Sequence, residues 1–235
     1  MTRDPSLKPR RKDAEKELRR DMVRIAEEPP VRSVLEEVGN AVTHGVGAAL
    51  AIAALVLMIL KSDTGLKLMA SLFYGISLII LFLMSCLYHS FKSGSAVKRL
   101  WRRFDYSSIY LLIGGTTAPF YLVYWGDTKG IVMFCIQWGL IILGVTFIGV
   151  FGPGRFRPLH FALYFLLGWS AVMFIPDWFR NDLPIFWMSL AGGLIYSIGM
   201  IPFIKDTKGA HFIWHLFVLA GAAVHWFTIY LLVLK

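Results

Sequence analysis

Charge is scarce in this chain. Only 17% of its 235 residues are Asp, Glu, Lys or Arg, against about 25% in an ordinary soluble domain. Cysteine is scarcer still: Cys86 and Cys135 both sit in apolar stretches, with no CxxC and no pairing pattern. That excludes a disulfide framework and a cysteine zinc site. A two-residue alternation of apolar and polar positions is missing, which disfavours a β-barrel. The first residues contain no apolar h-region, so no cleavable signal is expected. GPGRFRP (Gly152 to Pro158) is neither a Walker A loop nor GxGxxG, and nucleotide binding has no support.

What is abundant is apolar: 57% hydrophobic residues and a mean hydropathy of +0.61. They occur in seven blocks, at approximately 41–60, 66–90, 106–125, 130–150, 158–176, 184–204 and 211–233. A helix needs about 20 mainly apolar residues to cross the ~30 Å hydrocarbon core. An all-α membrane protein, a seven-transmembrane-helix bundle over 38–235, is therefore expected. Residues 1–37 hold 10 Lys/Arg against 9 Asp/Glu. They read as a charged cytoplasmic arm, either helical over Lys12–Glu28 and stopped by Pro29–Pro30 or partly disordered.

The net charge of +9 does not point to nucleic acid, because the excess lies in short loops between the apolar blocks. With seven spans, the loops on the arm's side hold nine Lys/Arg and the opposite side five. Cations favour the cytoplasmic side, so the N-terminus is expected inside and Lys235 outside. That is the reverse of a conventional G-protein-coupled receptor.

Ionisable groups inside spans cost about 2.5–3.5 kcal/mol at the helix centre on the insertion scale, so each is a functional candidate. Here they share one depth. His44 opens span one, His89 closes span two, Asp105 opens span three, His160 opens span five, and His211 and His215 open span seven. His211 and His215, four apart, project from one helix face. His89 ends its helix at the same depth and is the best third imidazole for one ion, zinc being the metal that favours this donor. The alternative is a pair of ordinary interfacial histidines. Ser85 shares the face of His89, and Asp105 could hold or deprotonate a metal-bound water. His160 reads as interfacial. His225, ten residues past His215, lies roughly 15 Å deeper and is expected to make a packing hydrogen bond to Ser or Tyr. Gly114–Gly115 and Gly192–Gly193 read as close helix contacts.

Four segments then resemble a known family. EVGNAVTHGVG (Glu37 to Gly47), SCLYH (Ser85 to His89), FDYSSIYLLIGGTTAPF (Phe104 to Phe120) and HFIWHLFVLAGAAVHW (His211 to Trp226) are similar, in order, to motifs of the progestin and adiponectin receptor family. The third is closest to its bacterial hemolysin III branch, with Ala118 where that branch usually has Thr. The resemblance implies a seven-helix bundle in a bacterial cytoplasmic membrane, with the N-terminus inside. It also implies zinc on His89, His211 and His215, with Asp105 linked to the metal through water and Asn40 and His44 in a supporting shell. The wider superfamily includes alkaline ceramidases, which implies a zinc-activated water attacking a lipid amide or ester. Asp105 would then serve as general base or water orienter and Ser85 as donor to the developing oxyanion, with membrane lipids or a fatty-acyl compound as partners. Two rivals remain: a membrane regulator with structural zinc, and, from the branch name alone, a cytolysin.

Overall fold

A computed structural model describes residues 11–205 and 207–235, and among them all regular structure is helical. The first helix, α1 (Arg11–Glu27), belongs to the polar arm, and residues 1–10 of that arm lie outside the described residues. The following helices are α2 (Val34–Lys61), α3 (Gly65–Ser90), α4 (Ala96–Pro119) and α5 (Thr128–Phe151). Then come α6 (Arg157–Gly168), α7 (Ile175–Asn181), α8 (Leu183–Lys205) and α9 (Ala210–Thr228). Between α6 and α7 the chain tightens into a 3-10 segment, Trp169–Phe174. Beyond α4 and α9 it loosens into π-helical turns, Phe120–Trp125 and Ile229–Val233.

The helix starts follow local chemistry. α2 begins seven residues before its apolar block, because Ser33 caps the backbone N–H of Glu36 while the Glu36 side chain accepts from Ser33 N–H. This reciprocal arrangement satisfies two donors that a helix start leaves orphaned. Thr64, Ser95 and Asp127 cap α3, α4 and α5 from one side only, each side chain accepting a backbone N–H of the first turn.

Six segments among the described residues are long and apolar enough to cross a membrane: α2, α3, α5, Arg157–Asn181, α8 and Ala210–Val233. They carry large apolar side chains outward, among them Leu60, Ile142, Leu143, Val150 and Ile201. Water would not tolerate that surface, but lipid does. The chain is a multi-pass integral membrane protein. The third expected span, about 106–125, is not among these six and falls on α4, whose first ten residues carry Lys98, Arg99, Arg102, Arg103 and Asp105. Its apolar stretch is completed by the π-helical turn after Pro119 rather than by α4 alone.

Small residues set how closely the helices approach. A Cβ on Gly75 would fall 2.4 Å from Leu55, and one on Gly115 would fall 2.0 Å from Ser77 Oγ and 2.8 Å from the Phe73 carbonyl. Hence α3 can lie tight against both α2 and α4. Gly114 meets Ile141 and Trp138, and Gly192 meets His225, while a Cβ on Gly193 would stand 3.7 Å from Trp169 in ordinary contact. Three of the four expected glycine contacts are close, and the one at Gly193 is not.

Candidate metal centre

The centre is assembled from the starts of α2 and α9 and the end of α3. The two starts are pinned together by Glu36, whose carboxylate accepts the backbone N–H of Gly209. Gly209 has φ +75, a left-handed conformation that any residue with a Cβ adopts at a cost. It turns the chain into α9 directly before His211. Gly47, where a Cβ would strike Phe82 and Leu219, lets α2 sit between α3 and α9.

His89, His211 and His215 are all buried, and each offers a ring nitrogen to a group whose ligand atoms lie within 4.8 Å of one another. The ring centroids are 5.0 Å apart for His89–His211, 4.9 Å for His89–His215 and 4.8 Å for His211–His215. His89 Nε2 and His211 Nε2 approach to 3.2 Å. The expected triad does converge.

What surrounds these rings tests whether they suit a metal. His89 Nδ1 lies 2.7 Å from Glu37 Oε2, and His215 Nδ1 lies 3.2 Å from the carbonyl oxygen of Asn40. An N–H on each Nδ1 donates to that acceptor, leaving Nε2 of both rings with a bare lone pair. A carboxylate or carbonyl behind each imidazole is the arrangement that orients metal-binding histidines and raises their basicity. His211 Nδ1 is buried without a hydrogen-bond partner among the described residues. Three neutral imidazoles with two tautomers held in this way fit a divalent cation of borderline softness.

Asn40 and His44 stand where a supporting shell would be. Asn40 is fully buried; its backbone holds His215, and its side-chain Nδ2 lies 3.5 Å from His89 Nδ1. His44 stacks on His215 with centroids 3.6 Å apart and planes 10° from parallel. Thr43 Oγ1, which donates to backbone carbonyls of its own helix, lies 3.4 Å from His215 Nδ1.

Asp105 lies outside the cluster of three histidines. Its carboxylate interacts with Ser85 and with the positive charge of Arg102, Lys98 and Arg32. Ser85, expected as donor to a developing oxyanion, neighbours Asp105. His160 is buried against α4, paired with Tyr110 Oη at 2.9 Å. His225 stacks on Tyr196, and its Nδ1 has no hydrogen-bond partner among the described residues, so the expected hydrogen bond to Ser or Tyr is not made there.

Sequence reasoning missed Glu37, Lys98 and Arg102. Glu37 had a findable signal: it precedes Asn40 by three and His44 by seven, so all three share one face of α2. Lys98 and Arg102 fall between apolar blocks in the sequence, as loop charges do, yet both are buried. Lys98 Nζ lies 3.0 Å from Glu37 Oε1 and donates to the carbonyls of Tyr88 and Phe91, which end α3. Arg102 Nη1 donates to the carbonyls of Ala26, Glu27 and Glu28, which end α1. The Glu27 carboxylate in turn accepts the N–H groups of Gly154 and Arg155. The arm is therefore docked on the bundle at its C-terminal end.

Comparison with known proteins agrees with the motif resemblance. The family model described as Haemolysin-III related matches residues 32–226. Hemolysin-3 of Bacillus cereus is 38% identical over 206 residues, covering 86% of this chain and 93% of the relative. The Hemolysin-3 homolog of Bacillus subtilis (strain 168) is 33% identical over 202 residues, covering 84% and 94%. The human Monocyte to macrophage differentiation factor is 27% identical over 205 residues, covering 83% of each chain.

Proposed function

The chain belongs to the haemolysin-III related family, and from that premise we propose a zinc-dependent hydrolase of a lipid amide or ester. In this reading α4 with its π-helical extension completes seven spans, over residues 38–235. The arm faces the cytoplasm and Lys235 lies outside, in a bacterial cytoplasmic membrane. The single observation that carries the proposal is the backing of His89 by Glu37 and of His215 by the Asn40 carbonyl. With each Nδ1 proton held from behind, Nε2 of both rings is left free to bind a cation.

His89, His211 and His215 would hold the metal. Zinc, when bound, lowers the pKa of a water towards 7 and polarises a carbonyl. The protein's own part is positional. Glu37 holds the proton on His89 Nδ1, and the Asn40 carbonyl holds that on His215 Nδ1. Asp105, oriented by Ser85 and flanked by cations, takes the proton of the attacking water and returns it to the leaving amine or alkoxide. Ser85 is then a positioning residue, since its partnership with Asp105 competes with the oxyanion role.

The experiment is hydrolysis of ceramides and lysophospholipids by the purified full chain, with its zinc content measured in the same preparation. Product formation should fall by about 10²–10⁴-fold in Asp105→Ala, the range for losing a general base. Absence of product above that control, with zinc present, overturns the proposal. The second reading is a zinc clip that staples α3 to α9 in a membrane regulator. Its supporting observation is that the three imidazoles come from only these two helices. It predicts loss of thermal stability on histidine replacement and no turnover of any lipid.

A further inference from the structure

A cavity of about 160 Å³ lies between α4, the α6–α7 segment, α8 and α9. Its wall is apolar almost throughout, including Leu112, Ile113, Phe165 and Trp178. Phe203 and Trp214 close it towards the histidine centre: they stack on one another, and the Phe203 ring lies 5.8 Å from that of His211.

Away from that centre the wall changes character. Ser189 Oγ, Tyr196 Oη and His225 Nδ1 belong to cavity-lining residues, and none of the three buried atoms has a hydrogen-bond partner among the described residues. Ser189 is 7% exposed and His225 8%. They form one group. Ser189, Gly192 and Tyr196 lie on one face of α8. The His225 ring rests on Gly192, where a Cβ would come within 2.6 Å of Nε2, and stacks on Tyr196 at 5.5 Å. A buried polar atom without a partner is left with its desolvation penalty uncompensated. Three of them around one space in a lipid-embedded bundle call for a polar occupant.

We propose that this group is a second polar subsite, which takes a hydroxyl carried mid-chain by an otherwise apolar lipid acyl chain. A hydroxyl both donates and accepts, so it can serve the imidazole lone pair or N–H and the two oxygens together. His225 is ten residues beyond His215 on α9, roughly 15 Å along the helix. That offset puts the recognised hydroxyl well down the chain from the group held at the histidines. The orientation of the chain rests on the proposed hydrolase reading; the subsite itself does not.

The test is isothermal titration of the full chain in one detergent with octadecanoic acid, mid-chain hydroxyoctadecanoic acid and the isomer hydroxylated beside the carboxyl. Wild type should bind the mid-chain hydroxy acid about fivefold more tightly than the other two, the ratio that one net hydrogen bond supplies. Tyr196→Phe and Ser189→Ala, each removing one oxygen with little change of shape, should cut that preference to less than about twofold. Equal affinities in wild type, a preference unchanged in both variants, or no binding of any acid overturns the proposal. Because the readout is binding, a protein that shows the preference but hydrolyses nothing would sink the hydrolase and leave the subsite standing.

Discussion

Lys98 Nζ and Glu37 Oε1 lie 3.0 Å apart, with the lysine wholly inside the protein. The other oxygen of the same carboxylate holds His89. One acidic side chain of α2 therefore ties the start of α4 to the end of α3 and orients a candidate metal ligand. A buried ion pair of this kind is weak evidence for stability in itself, because desolvation offsets attraction. Its cost appears when one member is removed.

Glu37→Gln should accordingly do two things. The Lys98 ammonium loses its counter-charge, for about 3–5 kcal/mol of destabilisation, read as a lower unfolding temperature in detergent. The His89 tautomer loses its carboxylate, for about 10–100-fold weaker metal binding. Thermal unfolding with and without added zinc separates the two effects. A variant as stable and as well loaded as wild type would contradict both.

Metal content follows the triad and not the histidine count. Purified wild type should carry stoichiometric zinc, and His211→Ala and His89→Ala should carry almost none. His44→Phe keeps a ring against His215 and should stay loaded, since His44 is not one of the three converging residues. Elemental analysis of the four proteins decides this.

Removing the metal should also lower stability. A ligand that binds only the folded state contributes RT ln(1 + [L]/Kd), about 2.7 kcal/mol at a hundredfold excess over Kd. Dialysis against a chelator should therefore lower the unfolding temperature of wild type and leave that of His211→Ala unchanged.

Gly115→Ala and Gly193→Ala form a matched pair. At Gly115 the added methyl meets the Phe73 carbonyl at 2.8 Å, a backbone atom that cannot swing away. About 1–3 kcal/mol of destabilisation from overpacking is expected. At Gly193 the methyl finds only the Trp169 ring at ordinary contact distance, and thermal unfolding should change little.

The docking of the arm is testable through Glu27. Its carboxylate accepts from Gly154 N–H at 2.9 Å and Arg155 N–H at 3.1 Å. Glu27→Ala should release those two amides, seen as faster hydrogen exchange at Gly154 and Arg155, with the exchange of α2 and α3 unaffected.

Much of the site was legible because spacing and depth are properties of the chain. The four-residue step from His211 to His215 puts both rings on one face of any helix, and the apolar block before His89 places that residue at the same membrane level. Glu37, Lys98 and Arg102 were not legible in that way. A hydropathy profile registers a charge without its partner, so a lysine inside an ion pair and a lysine in a loop look the same. Ser85 illustrates the converse: its position on the face of His89 was readable, but whether its hydroxyl served a substrate or a neighbour was not.

Apolar block length and the scarcity of charge determined by themselves that this chain lives in a membrane as helices, since no other backbone arrangement satisfies its hydrogen bonds there without a closed barrel. Which charges are buried, where the arm rests and why three histidines share one point were decided only by tertiary contacts. The reason is that an ion pair or a ligand set costs free energy until all its members arrive, and they arrive from α2, α3, α4 and α9, far apart in the chain.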